Sequence, residues 1–465
     1  MAKFFIDQHG CAKNQTDGEL IAGFLKEAGL EYSDQASEAD FIIVNSCGFI
    51  ESAKKESINA VYSIRQNYPR AKIILAGCLA QRYAKELQES MPELDGIFGN
   101  GDLSKIAEYI KNCGKQKLAD HTSFEQKGIC EGKRPLIFNY KASAYVKITE
   151  GCSNNCSFCA IPLIRGPVRS RRVSSIIKEI KGLIQNGVYE INLIGQDLAA
   201  FTAPEAEGNA LKYLLSQISL LKGDFVVRTL YIHPDHFDTD ILELYKKDKR
   251  LLPYFDIPFQ SGDDQIIRAM NRVGPAQKYV KTIEKIRKEL PEAVLRTTFL
   301  TGFPGETDSA FENTKKFLID INPLWSGCFP YSREEGTPAW SFKPRVPAKL
   351  ARQRAQELEQ LQSELTTAKL KDYVSREFDV LIEEVIASEE EGLAIGRAWF
   401  EAPEVDGCAV VRYERDDKAE CSAIKEGNVV RVVCLACTGV DLDCRFKALV
   451  RQFKESDRVS FVTEK

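Results

Sequence analysis

The sequence predicts an α/β chain in three parts: an N-terminal parallel α/β domain, a central partial (β/α)6 barrel and a small C-terminal β-barrel. Three observations carry this expectation. Up to about residue 91, short apolar runs alternate with amphipathic stretches. A second, longer series of the same kind begins near residue 144, and from about 375 the chain turns to short valine-rich strands. Strand-length apolar runs separated by helical patterns are the mark of parallel sheets with crossover helices. Short strands in quick succession mark a barrel or sandwich.

In the first part, "KFFI" precedes the helical pattern "DGELIAGFLKEAG". "DFIIV" precedes "IESAKKESINAVYSIRQNYP", and "KIILAG" precedes "LAQRYAKELQESM". Residues 112–136 lose this period and read as a linker, so the first domain is expected over 1–120. Strands in "AYVKITEG", "YEINLIGQD", "FVVRTLYIH", "YFDIPFQSG", "AVLRTTFLTGF" and "WSGCFPYS" then build the second domain, over 137–365. "PAKLARQRAQELEQLQSELTTAKLKDYV" reads as a long bridging helix. Five strands beyond it form the third domain, over 375–452.

With 465 residues and a net charge of −4, the chain has ample core for several domains. Nothing in that balance suggests a nucleic-acid-coating or membrane-surface protein. No apolar run reaches the ~18 residues of a membrane span, and "MAKFFIDQHG" has no signal-peptide core, so a cytoplasmic protein is expected. Fourteen cysteines are many for such a compartment, where they serve as thiols or metal ligands rather than staples.

Three of these cysteines, Cys11, Cys47 and Cys78, close the first three strand phrases. In a parallel sheet the C-terminal strand ends share one rim, where ligands bind. A single strand-end cysteine is most simply a packed thiol; three at equivalent positions point to a shared site. A second set is local. "EGCSNNCSFCAIP" places Cys152, Cys156 and Cys159 in a strand-end loop as Cys-x3-Cys-x2-Cys, with no histidine in the segment. Three thiolates leave one iron of a 4Fe–4S cube open. Structural zinc, the simpler metal, calls for four ligands.

That loop, ahead of five further strand–helix units, resembles the radical S-adenosylmethionine enzymes. "GCAKNQTDGE", "VNSCGFIESAKKESI", "AGCLAQRY", "EGCSNNCSFCAIPLIRGPVRSR", "RTTFLTGFPGET", "YSREEGTPA" and "GRAWFEAPEVDG" follow in order through nearly the whole chain. Together they resemble the methylthiotransferases of that superfamily, whose C-terminal barrel is a TRAM domain. The resemblance implies two 4Fe–4S clusters. Cys152, Cys156 and Cys159 would hold the radical cluster, whose open iron takes S-adenosylmethionine and cleaves it reductively to a hydrogen-abstracting radical. Cys11, Cys47 and Cys78 would hold an auxiliary cluster that carries the inserted sulfur. An external electron donor and a sulfur donor are implied as partners.

The resemblance also implies a contact to the cofactor's amino group at Gln196 and Asp197, and the glycines of "TTFLTGFPGE" let backbone approach a ligand, which points to Thr298, Gly302 and Glu306 near the cofactor. A strand cap at Gln196 and a simple turn at Gly302 are the alternatives. Arg165, Arg169, Arg171 and Arg172 follow the cysteine loop; such a run is ordinarily a solvated face, with a substrate or cofactor role the sharper reading. Cys434 and Cys437 form a Cys-x2-Cys within a strand, where residues three apart face opposite sides, so packing is expected rather than a third metal site.

The family divides between enzymes that modify an adenosine of tRNA and enzymes that modify the β-carbon of an aspartate in small-subunit ribosomal protein twelve. Residues 375–450 hold 17 acidic and 9 basic side chains, which would repel RNA and attract a basic protein, free or in the small subunit. "NSCGFIESAKKESI" and "GRAWFEAPEVDG" resemble the ribosomal-protein branch. Methylthiolation of tRNA is the alternative, and a non-catalytic iron–sulfur module for ribosome or RNA binding a more distant one. Two departures stand out: Ser261 where the family pattern leads one to expect His, and Gly18 where it commonly has Ser, read as a loop detail.

Overall fold

The structure, a computed structural model, describes residues 1–113, 129–387, 391–454, 456 and 459–462. The first sheet is wholly parallel, with strands β1 (Lys3–Gln8), β2 (Glu31–Tyr32), β3 (Phe41–Ser46), β4 (Lys72–Gly77) and β5 (Gly96–Phe98) in the order β2-β1-β3-β4-β5. Its apolar strands are buried on both faces, as parallel strands must be. Ile43 and Ile74 pack with Leu20, Ile21 and Leu25 of helix α1 (Ala12–Glu27). Ile42, Val44, Ile73 and Leu75 face the other way, toward α2 (Glu51–Asn67) and α3 (Cys78–Ser90).

Helix α1 begins one turn earlier than its apolar pattern suggested. Asn14, Gln15, Thr16, Asp17 and Glu19 are all buried, because this helix is covered on a second side by the central domain. A helix wrapped by protein on polar residues carries no amphipathic signal, so periodicity missed it. Gly18, read from sequence as a loop detail, lies inside this helix. A side chain there would meet Gln8 Oε1 at 2.4 Å.

The central sheet has six parallel strands in chain order: β6 (Ser143–Lys147), β7 (Glu190–Ile194), β8 (Val226–Thr229), β9 (Leu251–Asp256), β10 (Val294–Thr301) and β11 (Trp325–Pro330). It does not close, which is the partial (β/α)6 barrel the sequence predicted. The bridging helix α4 (Ala348–Leu370) packs along β10 and β11. Five strands, Glu377–Ile386, Gly392–Ala398, Ala409–Tyr413, Val429–Thr438 and Asp441–Arg451, make the closed C-terminal barrel.

That barrel is not a loose appendage. Phe378, Val380, Phe400 and Val411 share one apolar cluster with Tyr145, Ile194, Tyr254 and Trp325 of the central sheet. Arg397 enters the same junction and pairs with Glu190 (2.7 Å) and Glu383 (2.6 Å).

The expected linker over 112–136 needs correction at its end. Residues 114–128, including the last seven of the expected first domain, lie outside the described residues. Arg134, however, is buried between Glu19 and Glu179, and Leu136–Ile137 pairs in parallel with Ser460–Phe461 from the far end of the chain. A two-residue strand whose partner lies more than 300 positions away leaves no local trace.

Candidate functional site

β1, β3 and β4 are neighbours, so Cys11, Cys47 and Cys78 emerge side by side, each strand about 5 Å from the next. Close backbone contact fixes them there. A side chain at Gly10 would sit 3.1 Å from Cys47 Cβ, and one at Gly48 would sit 2.7 Å from the Cys78 carbonyl. Cys11 caps α1 and Cys78 opens α3, where the positive ends of helices favour a thiolate. Asn14 locks the rim by donating to the carbonyls of His9 (2.7 Å) and Asn45 (3.0 Å). Ser57 Oγ accepts from the Cys47 N–H (3.0 Å), and Asn100 Nδ2 donates to Cys78 Sγ (3.5 Å).

The second triad sits beyond β6, in a loop closed by the short pair Thr149–Glu150 and Arg169–Ser170. Cys159 Sγ accepts the Ile161 N–H at 3.4 Å, and the Cys152 N–H donates to the Gly166 carbonyl. Asp197, after β7, gathers Asn154 of this loop (2.9 Å), His236 (3.0 Å) and the His233 N–H (3.0 Å). His233 Nε2 in turn lies 3.8 Å from Cys156 Sγ. These histidines were missed from sequence, since neither stands at metal-ligand spacing to a cysteine.

As free thiols, most of this set is held neutral. Burial and the neighbouring Cys78 push Cys47 up to about 12, and burial does the same to Cys159. Cys11 alone falls below its ordinary value: desolvation opposes the shift, but Lys13, Arg165 and the backbone N–H groups of Asn14 and Lys13 together outweigh it. Among the described residues no three His, Cys, Asp or Glu side chains converge on a single-ion position. An iron–sulfur cube takes one thiolate per iron, so its ligands ring a space rather than meet at a point. Two sets of three thiols, with no carboxylate among them, fit that donor set, and a cationic centre would supply the countercharge that keeps buried thiolates ionised.

Arg165 joins the triads. Far from being part of a solvated face, it is 2 % exposed. It donates to Asp17 (2.8 Å) of α1, to Glu150 (2.9 Å) below the cysteine loop, and to Cys78 Sγ (3.2 Å). Lys147 bridges the same two carboxylates. Glu150 is thereby held far below the usual carboxylate range despite its burial, by Arg165 first and Lys147 second. Arg171 is likewise engaged, with Glu131 and Glu179, and Arg169 donates to the Arg165 carbonyl. Only Arg172 is exposed.

The remaining sequence candidates divide. Gln196 stands beside the cysteine loop, its amide donating to Glu150 (3.3 Å), while its Oε1 and the nearby Thr149 Oγ1 are buried with no partner among the described residues. Orphaned acceptors of this kind suit the ammonium group of S-adenosylmethionine. Thr298 is half-buried on β10 and shares a face with Arg296. Gly302 and Glu306 point elsewhere. A side chain at Gly302 would strike Ala351 Cβ at 2.2 Å, so its glycine serves the packing of α4, and its N–H donates to Glu306. Glu306 is buried against Arg354 of α4 (2.7 Å). Ser261 acts as a buried cap, accepting the Asp263 N–H. Cys434 lies opposite Cys444 inside the C-terminal barrel, both buried, which fits packing.

Comparison with known proteins places each part. Residues 3–99 match the uncharacterized protein family UPF0004, 146–318 the Radical SAM superfamily and 374–446 the TRAM domain. A ribosomal protein uS12 methylthiotransferase RimO from Treponema denticola is 49% identical over 463 residues, covering 94% of this chain and 99% of that protein. The protein of the same name from Thermotoga maritima is 36% identical over 405 residues, covering 87% and 92%. Among solved structures, the radical S-adenosylmethionine methyltransferase TsrM from Kitasatospora setae shares the fold at a TM-score of 0.53 and 12% identity, over 73% of this chain and 77% of that one.

Proposed function

The chain belongs to the ribosomal protein uS12 methylthiotransferase RimO family, and from that premise we propose that it inserts a methylthio group at the β-carbon of an aspartate in that ribosomal protein. It is a radical enzyme of the transferase class. One observation carries the reading: the two cysteine triads are linked through the buried Arg165, which lies six residues past Cys159 and donates to Cys78 Sγ as well as to Asp17 and Glu150.

Cys152, Cys156 and Cys159 would hold the radical 4Fe–4S cluster, with Gln196 receiving the ammonium of S-adenosylmethionine. Cys11, Cys47 and Cys78 would hold a second cluster. When bound, these groups supply one-electron chemistry, hydrogen abstraction from an unactivated carbon and the sulfur to be transferred. The chain's own work is placement. Arg165, Lys147, Asp17 and Glu150 lock together the two domains that carry the triads.

The acidic C-terminal barrel supports a basic protein partner over RNA. Glu383, Glu401 and Asp406 are buried there, with Arg397 the one buried base, while Glu384, Glu414, Asp416 and Asp417 remain exposed. Glu389 and Glu390 lie outside the described residues. The division into domains over 1–120, 137–365 and 375–452, a cytoplasmic location beside the ribosome, and separate electron and sulfur donors belong to the same proposal. No helix among the described residues is long and apolar enough to cross a membrane.

Reconstituted enzyme, reductant and S-adenosylmethionine, offered uS12 and tRNA in parallel, should give uS12 the mass of one methylthio group in place of one hydrogen. Product on tRNA alone would overturn the reading. Iron should reach roughly eight per chain. Cys47→Ala should lose about half of it and still release 5′-deoxyadenosine, whereas Cys152→Ala should abolish that release.

A further inference from the structure

We propose that Lys13, resting on the ring of Tyr231, receives the side-chain carboxylate of the substrate aspartate and so sets the preference for an acidic target. The inference rests on the functional reading above and names how that site recognises its substrate.

Lys13 lies two residues after Cys11, in the first turn of α1, and its ammonium stands 3.1 Å from the centroid of the Tyr231 ring. Tyr231 follows β8, and two residues on, His233 lies against Cys156. The cation therefore stands between the triads, where the attacked carbon must lie if one triad activates it and the other delivers sulfur.

Most buried cations of this region are already paired with carboxylates; Arg272, also buried, donates instead to the Pro258 carbonyl. Lys147 holds Asp17 and Glu150, Arg165 holds the same two, Arg296 holds Asp256 and Asp406, and Arg134 holds Glu19 and Glu179. Among the described residues, Lys13 has no carboxylate at ion-pair distance. Its strongest anionic neighbour is the Cys11 thiol two residues away, and the carboxylates in its field, Asp256 and Glu150, are turned to Arg296 and to Arg165 and Lys147. A half-buried cation with an aromatic face beneath it and no carboxylate at ion-pair distance is prepared for one that arrives from outside.

Tyr231 is also held in a conformation that bulky residues rarely adopt, with φ at +66°, while its N–H donates to Asp256. Such strain persists where surrounding structure imposes it, commonly at functional positions. Here it keeps the ring under Lys13. A substrate carboxylate would complete the pair, and a carboxamide of the same shape would leave the ammonium unmatched.

The test uses the anaerobically reconstituted holoenzyme and two fluorescent peptides spanning the target loop of uS12, one with the native Asp and one with Asn in its place. Fluorescence anisotropy on the unsubstituted enzyme should show the Asp peptide bound about tenfold or more tightly. Lys13→Met should bring that ratio to about one, and Lys13→Arg should keep most of it, with iron content and melting temperature confirming both folds. Equal binding of the two peptides by the unsubstituted enzyme overturns the proposal without any variant. So does a Lys13→Met enzyme that keeps the ratio but loses affinity for S-adenosylmethionine, since Lys13 would then serve the cofactor's carboxylate. Methylthio transfer to the Asp peptide is read in the same samples. Its absence from the unsubstituted enzyme fails the functional reading, whereas transfer with indifferent binding fails only this inference.

Discussion

The two cysteine triads are assembled by opposite routes. Cys152, Cys156 and Cys159 share a single loop, closed by its own short strand pair, so eight consecutive residues carry most of the geometry. Cys11, Cys47 and Cys78 come from three strands, and nothing local holds them together. Their rim is fixed by the whole first sheet and by side chains lent from elsewhere: Asn14, Asn100 and, from the central domain, Arg165. A local motif is robust because its closure entropy is small. A dispersed one depends on every contact that docks its parts, so it should fail first when the interface between domains is weakened.

The sharpest way to break this contrast is Arg165→Met. The substitution leaves Asp17 and Glu150 sharing one lysine in a buried site, which costs about 3–5 kcal/mol. Denaturant titration should show that loss. Iron should fall from roughly eight toward four per chain, the dispersed triad losing its share while the loop triad keeps its own. A variant that held both clusters equally well would show that the first sheet secures its rim unaided.

Glu334 offers a milder intervention on the same interface. Its carboxylate, 3 % exposed, binds Arg82 (2.7 Å) and Lys54 (3.2 Å), and Arg82 donates onward to the Gly48 carbonyl beside Cys47 (3.1 Å). The same loop reaches the other triad, where the Ala339 N–H donates to the Ser157 carbonyl. Glu334→Ala should cost about 1.5–3 kcal/mol as charge-assisted bonds are lost. Hydrogen exchange should quicken around Cys47–Ile50 and at the start of α2, but not in Cys152–Cys159. Equal acceleration in both would mean that the loop serves general stability rather than the dispersed rim.

The same contrast explains what the sequence made legible. The loop triad was readable from spacing alone, and the dispersed one from three repetitions of a strand ending in cysteine. Three of the five strands of the first sheet, and those of the central sheet and the C-terminal barrel, followed from apolar runs; the short Glu31–Tyr32 and Gly96–Phe98 did not. Arg165 was not legible as a buried bridge, because a charged residue in a basic run carries no sign of which side chain the fold will enclose. Lys13 and Tyr231 meet only after two domains dock, and the conformation of Tyr231 belongs to the backbone rather than to any local pattern. Gly302 and Glu306 looked like ligand contacts because glycine-rich turns serve both purposes; only the position of Ala351 separates them. Position along the chain was readable, and partnership across it was not.

The smallest expected effect comes from a buried ionic group far from both triads, where stability should change and iron should not. Glu383 is 6 % exposed and pairs with Arg397, yet burial outweighs that pairing and raises its carboxyl to about 6. A carboxyl that binds its proton more tightly when folded favours the folded chain fully below its ordinary value near 4.5, and that contribution is lost as pH rises through about 6. The loss is about 2 kcal/mol at most. Glu190, which shares Arg397 and also takes Arg228, is held well below its ordinary value; its contribution is present above about 4.5 and lost as pH falls. The two carboxylates thus tilt stability in opposite directions around one guanidinium. Comparing the enzyme with Glu383→Gln from pH 4.5 to 7 by denaturant unfolding should show the unsubstituted chain losing its relative advantage as pH rises, at constant iron content. A difference that stayed flat across that range would mean that Arg397 compensates Glu383 fully. The docking of the C-terminal barrel would then be insensitive to this proton, and loss of iron on raising pH would tie even this distant junction to the dispersed rim.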